Sequence, residues 1–206
     1  MLTDGQLKEM APKMGVPLAW VGFKSDLPNK LHTNKSYIVN LDSSEDLDGD
    51  SNSGTHWTCF QVVQYPNNKK EAIWFDPYGM PPPEIVKRKV KSNFGIGYIP
   101  YTTKDIQSLM ADVCGYYCMA FLHFINESPY RSRDLYTDVG TFLELFDDLN
   151  EKVDFKKNEY VLKHFFLSKD PSKRKAVDVG GGEEDFSGFN PTEGAVGLPV
   201  EIKYKE

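Results

Sequence analysis

The stretch that decides the reading of this chain is Asp105-Ile106-Gln107-Ser108-Leu109-Met110-Ala111-Asp112-Val113-Cys114-Gly115-Tyr116-Tyr117-Cys118-Met119-Ala120-Phe121-Leu122-His123-Phe124-Ile125-Asn126. It reads as a loop carrying a glutamine, then a cysteine, then an apolar run. From Cys114 onward apolar or small residues dominate, and no Gly or Pro follows Gly115 within the stretch. A run of that length favours a buried helix over a strand. Cys114 then stands in the first helical turn, where unpaired N–H groups and the positive end of the helix dipole favour a thiolate, the nucleophilic form of cysteine. The same residues also support plain packing, with Cys114 and Cys118, four apart, as small core side chains on one helix face.

Two upstream segments bear on that choice. Gly54-Thr55-His56-Trp57 opens one apolar run, and Trp74-Phe75-Asp76-Pro77-Tyr78-Gly79 closes another. In chain order the sequence offers His56, Asp76, Gln107 and Cys114: a base, an orienter for it, a side-chain amide donor and a nucleophile at the head of a helix. This order and its local motifs resemble adenain, the adenovirus maturation protease, and more distantly the SUMO-specific (Ulp-type) cysteine proteases. The adenain-like proteases of virophages and Maverick-type elements are the relatives expected to be nearest. The resemblance spans residues 3–128 and is carried by Gln6-Leu7-Lys8, Ile38-Val39-Asn40, His56-Trp57, Phe75-Asp76-Pro77-Tyr78-Gly79, Cys114-Gly115 and the interval of seven between Gln107 and Cys114.

The resemblance implies a thiol endopeptidase with an α+β fold, a central, mainly antiparallel sheet packed by helices, and the Cys114 helix lying against the sheet edge that carries His56 and Asp76. It implies His56 as base, Asp76 on the far imidazole nitrogen, Cys114 as nucleophile, and Gln107 with the Cys114 backbone N–H as oxyanion donors. Trp57 and Gly22 are cleft candidates on the same ground; simple packing is the alternative for both. The implied substrates are viral capsid or core precursors cut at Gly-containing sites, which places the enzyme in the virion or in the cytoplasm or nucleus of the host cell. Adenain carries a cysteine near the position of Ile96–Tyr101 that disulfide-bonds its activating peptide. This chain has none there, so any peptide activator would act without a disulfide. Other readings keep the same triad: a ubiquitin- or SUMO-type deconjugase, or an acetyltransferase of related fold. A non-enzymatic module derived from a protease would be expected to have lost at least one member of the set.

The tail prompts a related hypothesis. Val179-Gly180-Gly181-Gly182-Glu183 matches the narrow Gly-Gly segments accepted by adenain-type and Ulp-type enzymes, since glycines pass where side chains would clash. The implied event is self-cleavage after Gly182, or occupation of the cleft by this segment; a flexible linker is the plainer alternative.

Composition limits the other classes. The chain has 206 residues, 40% hydrophobic and 26% charged, enough for one domain with a substantial core or one domain plus a tail. The boundary is expected at 170, with residues 1–170 as the protease domain and 171–206 as a Gly- and charge-rich tail packed, if at all, at its end. A net charge of −6 points to no nucleic-acid partner, so the DNA cofactor of adenain is not carried over. Three cysteines do not suggest a disulfide framework, and with four histidines and no zinc-ligand spacing no metal or other cofactor is expected. The first residues lack a signal-peptide pattern, and no apolar run reaches membrane-spanning length.

Helices are expected over residues 3–14, capped by Thr3 or Asp4 and ended by Gly15, and from Pro81 through Ser92. Further helices are expected over Val139–Leu149 and Lys156–Leu167. Strands are expected at Ser36–Leu41, 55–65, 71–76 and Ile96–Tyr101, with Val196–Tyr204 as a further candidate; Leu18–Phe23 reads as an apolar packing stretch. Asp46, Asp48 and Asp50 alternate as at the start of a calcium loop, but Ser51 and Trp57 break that pattern, and the segment reads as a solvated loop. Lys87-Arg88-Lys89-Val90-Lys91 reads as a solvated helix face, and His123 and His164 as packed histidines. The turn Pro66-Asn67-Asn68-Lys69-Lys70 makes a hairpin. If symmetric, it would set Asp76 level with Cys59, three residues from His56 and on the opposite face. Only a bulge or an asymmetric turn would bring the two together.

Overall fold

The computed structural model describes residues 2–43, 56–108, 112–127, 134–146, 155–166 and 202–203. Helix α1 (Asp4–Lys13) opens on a capping box: the Gln6 N–H donates to Thr3 Oγ1, and the Thr3 N–H donates to Gln6 Oε1. Pro12 lies in its last turn, and Gly15 at φ +64° turns the chain out of it. The apolar segment that follows is more than packing. Leu18–Phe23 is strand β1, parallel to β2 (Lys35–Asn40). Strands β3 (Trp57–Gln64) and β4 (Lys70–Phe75) form the hairpin, and α2 (Glu84–Phe94) follows Pro83 and ends on the left-handed Gly95.

The strand expected over Ile96–Tyr101 shrinks to β5 (Tyr101–Thr102), parallel to β4, because Pro100 supplies a carbonyl to Trp74 but has no N–H with which to continue a ladder. Helix α3 (Cys114–Glu127) follows, then α4 (Leu135–Glu144) and α5 (Phe155–Val161), which continues as one wider π-type turn, Leu162–Phe166. Helix α4 starts four residues earlier than its apolar spacing suggested. Asp134 caps it by accepting from the Thr137 N–H. Of the tail, Ile202–Lys203 is described, as β6 paired antiparallel to β5. The calcium-like acids, Gly182 and the side chain of His164 lie outside the described residues.

The sheet runs β1-β2-β3-β4-β5-β6, with three of its five pairings antiparallel, so the fold is α+β with a mainly antiparallel sheet between helices. Strand alternation assigns the two faces. Trp57, Cys59 and Val63 of β3 face α1, α3 and α4, while Phe60 and Val62 face α2 with Trp74, Val86 and Val90. Phe142 is the hub of the first face, its ring against those of Phe75, Phe121, Phe124, Phe146 and Phe166. The residues just before β3 and just after β4 adjoin central strands rather than a sheet edge as expected, because β1 and β2 extend the sheet on one side and β5 on the other.

Helix α3 is fastened along β3 at both ends. Asn126 and Gln61 exchange reciprocal amide hydrogen bonds of 2.8 and 2.9 Å, while at the other end the Cys118 thiol donates to the Trp57 carbonyl at 3.4 Å. Gly115 allows the close approach: a Cβ there would lie 3.3 Å from Leu2 and 3.4 Å from Trp57. Among the described residues no helix is long and apolar enough to cross a membrane.

Candidate functional site

His56 immediately precedes β3 and Asp76 immediately follows β4, so both leave the same end of two adjacent antiparallel strands. Their meeting depends on hairpin register. Phe75 stands opposite Cys59, which makes Asp76 level with Thr58, two residues from His56 and on its face. The offset of three on the opposite face expected from sequence is corrected: an odd loop, residues 65–69 between the paired Gln64 and Lys70, pairs residues of like parity, and no register shift interrupts the ladder. Asn68 takes φ +62°, its N–H donates to the Tyr65 carbonyl, and the Tyr65 N–H donates to Lys69 O, so an odd-length loop closes the ladder. The remaining offset of roughly 7 Å along the strand is bridged by the side chains, with His56 Nε2 2.9 Å from Asp76 Oδ1.

Cys114 is the first residue of α3, and its thiol is buried. The Trp57 N–H donates to Cys114 Sγ at 3.4 Å, and the same thiol lies near enough to the His56 side chain to raise its pKa. Since Nε2 is on Asp76, Nδ1 is the ring nitrogen left for sulfur. Burial pulls the His56 pKa down, but the hydrogen bonds to Asp76 and Cys114 and the charges of both outweigh it and raise the value from 6.5 to about 9. The net shift favours the protonated imidazole.

Gln107 is buried, and its Nε2 donates to the Tyr78 hydroxyl at 3.1 Å. Tyr78 in turn stacks on His56, with ring centroids 4.6 Å apart at 25°. Its own N–H donates to Asp76 Oδ1 at 2.8 Å. The loop carrying Gln107 is braced from three sides. The Ile106 N–H donates to Pro77 O, Asn158 Nδ2 donates to Ile106 O at 3.1 Å, and Lys104 Nζ donates to Leu143 O at 2.9 Å. Gly79 is the closest fit among the described glycines. It adopts φ +72°, and a Cβ there would lie 2.4 Å from Thr103 O. The Asp-Pro-Tyr-Gly turn can therefore lie against the Thr103 backbone only with glycine at its end.

The structure thus joins His56 to Asp76 directly, sets Cys114 near His56, and joins Gln107 to the group through Tyr78. The indole of Trp57 packs in the core, its Nε1 donating to Leu2 O at 2.8 Å, and it is the Trp57 backbone that meets Cys114. Gly22 pairs with Val39, which pairs with Thr58, so it lies at the same end of the sheet as His56, with the Trp20 ring folded against it. His123 is a packing residue whose Nδ1 is bonded to Met14 O. Cys118 is a buried core thiol, and burial pushes it well above the usual cysteine range. Among the described residues, no group of three or more His, Cys, Asp or Glu side chains is placed to hold a metal ion.

Sequence reasoning did not single out Tyr78, Lys104 or Asn158. Tyr78 carried a usable signal, an aromatic inside the turn two residues after the candidate acid. Lys104 and Asn158 carried none, because their partners are backbone carbonyls distant in sequence.

A thiol at a helix start, beside an imidazole that a buried carboxylate orients, can attack an electrophilic carbonyl while the imidazole returns a proton to the group that leaves. A scan against protein-family models and a search of curated proteins found no match for this chain.

Proposed function

We propose that this chain is a cysteine endopeptidase of the adenain-like type, acting on viral structural precursors at Gly-containing sites during virion maturation. The observation that carries the reading is the placement of His56, with Nε2 2.9 Å from Asp76 Oδ1, next to Trp57, whose N–H donates to the Cys114 thiol at 3.4 Å. In the proposed reaction the Cys114 thiolate attacks the scissile carbonyl while His56 holds the proton. Asp76 fixes the ring and stabilises its charge. The developing oxyanion is met by the Cys114 backbone N–H and the Gln107 amide; one such donor is worth about 2.7–4 kcal/mol. His56 then protonates the departing amine, and water opens the thioester.

The substrate class, the viral setting and the adenain/Ulp fold rest on the motif resemblance. Both capsid-precursor processing and self-cleavage after Gly182 follow from that resemblance; self-cleavage is tested by mass spectrometry of aged enzyme, and a tail intact at every concentration rejects it. The peptidase reading is tested by incubating wild type and Cys114→Ala with Gly-Gly peptides under reducing conditions. Cleavage by wild type alone is expected, and cleavage retained by Cys114→Ala would refute the assignment.

A further inference from the structure

We propose that Tyr78 is a positioning residue that holds the Gln107 amide and the His56 ring in one rigid arrangement. The inference rests on the peptidase reading for the reaction it serves. Tyr78 meets Asp76, His56 and Gln107 each with a different part of itself: its N–H on Asp76 Oδ1 at 2.8 Å, its ring face on the His56 imidazole at 4.6 Å, and its hydroxyl oxygen on Gln107 Nε2 at 3.1 Å.

The phenol is what makes this more than packing. A glutamine amide donates from one end and accepts from the other, and the two ends are almost the same shape. Only the amino end can serve a developing oxyanion. Hydrogen-bonding that end to Tyr78 fixes the plane of the amide and the place of its donors before any substrate arrives. A phenylalanine would keep the stack on His56 and lose this bond. The ring can serve as a fixed reference because its backbone is held. The Gly79 N–H donates to Asp76 O, the Ile106 N–H donates to Pro77 O, and Gly79 lies flush against Thr103. The turn that presents Asp76 to His56 thus also sets the loop that presents Gln107. Facing the imidazolium with a π surface further favours its protonated form.

The experiment compares wild type with Tyr78→Phe, Tyr78→Leu, Gln107→Ala and the double variant Tyr78→Phe/Gln107→Ala. Three readouts are taken: the side-chain NH2 signals of Gln107 in spectra of 15N-labelled protein, kcat and KM on a cleaved Gly-Gly peptide, and the pH dependence of Cys114 alkylation. Tyr78→Phe should shift the Gln107 signals and lower kcat by up to about 100-fold, as a displaced catalytic group does, with KM little changed. It should leave the alkylation profile in place. The double variant should be no slower than Gln107→Ala alone. Tyr78→Leu should also move the alkylation profile, since it removes the surface against His56. Unshifted Gln107 signals in Tyr78→Phe, or losses that multiply in the double variant, would overturn the proposal. If wild type cuts no peptide while Tyr78→Phe still shifts the Gln107 signals, the peptidase reading fails and the positioning contact stands.

Discussion

Asp76 reaches His56 at 2.9 Å across a register offset of two residues, and the same carboxylate oxygen accepts the Tyr78 N–H. One oxygen thus holds both the ring and the turn beside it. Asp76→Asn keeps the shape but replaces the charge that helps keep His56 protonated. The expected result is a kcat lower by about 10²–10⁴, with the alkaline limb of Cys114 alkylation moved down from about 9 toward 6.5. A pH profile of alkylation by a small neutral reagent checks this, and an unmoved limb would show that Asp76 does not sustain the imidazolium.

The same shift bears on stability. The His56 pKa is raised in the folded chain, from 6.5 to about 9. Its contribution is therefore fully present below about 6.5 and is lost as pH rises through about 9. Thermal unfolding of wild type and His56→Ala across this window should show the gap in Tm narrowing as pH rises. A gap that stays constant from pH 6 to 10 would mean that the ring is not stabilised by its proton.

How much of this was legible before the structure differs from residue to residue. Cys114 at the head of α3 followed from the length of its apolar run and from Gly115. Strand β1 did not, because Leu18–Phe23 alternates weakly and becomes a strand only by pairing with β2. The His56–Asp76 contact was the most delicate case. The sequence expectation put the two on opposite faces, whereas the odd loop 65–69 pairs residues of like parity and sets them on one face. Turn conformation is a property of the closed hairpin and is poorly encoded in the Pro66–Lys70 composition. The bracing of the Gln107 loop by Lys104 and Asn158 was illegible because backbone acceptors leave no mark on the sequence.

Gly79→Ala tests how firmly the two halves of the site are joined. The position combines φ +72° with a backbone oxygen 2.4 Å from any Cβ. Strain of this kind costs roughly 1–3 kcal/mol, and relieving it requires Thr103 to move. Both Tm and kcat should fall. A variant with wild-type Tm and kcat would show that the turn and the Thr103 segment are not tightly coupled.

Asn158→Ala removes a buried side chain from the Ile106 carbonyl without touching any proposed catalytic group. Leaving a buried carbonyl without that donor costs about 1–3 kcal/mol. Denaturant unfolding should show that loss, with kcat reduced more than KM because the loop leading to Gln107 loosens.

Phe142→Ala tests the core behind α3. Its ring meets those of Phe75 and Phe121, which join β4 to α3. A loss of about 3–5 kcal/mol is expected from denaturant unfolding, and a loss below 1 kcal/mol would contradict the packing described.

The most direct test of the central claim is cleavage of a Gly-Gly peptide library by wild type and by Cys114→Ala, read by mass spectrometry under reducing conditions. Cuts made by wild type should disappear with Cys114→Ala while the variant keeps its fold. Cuts that persist in Cys114→Ala would contradict it.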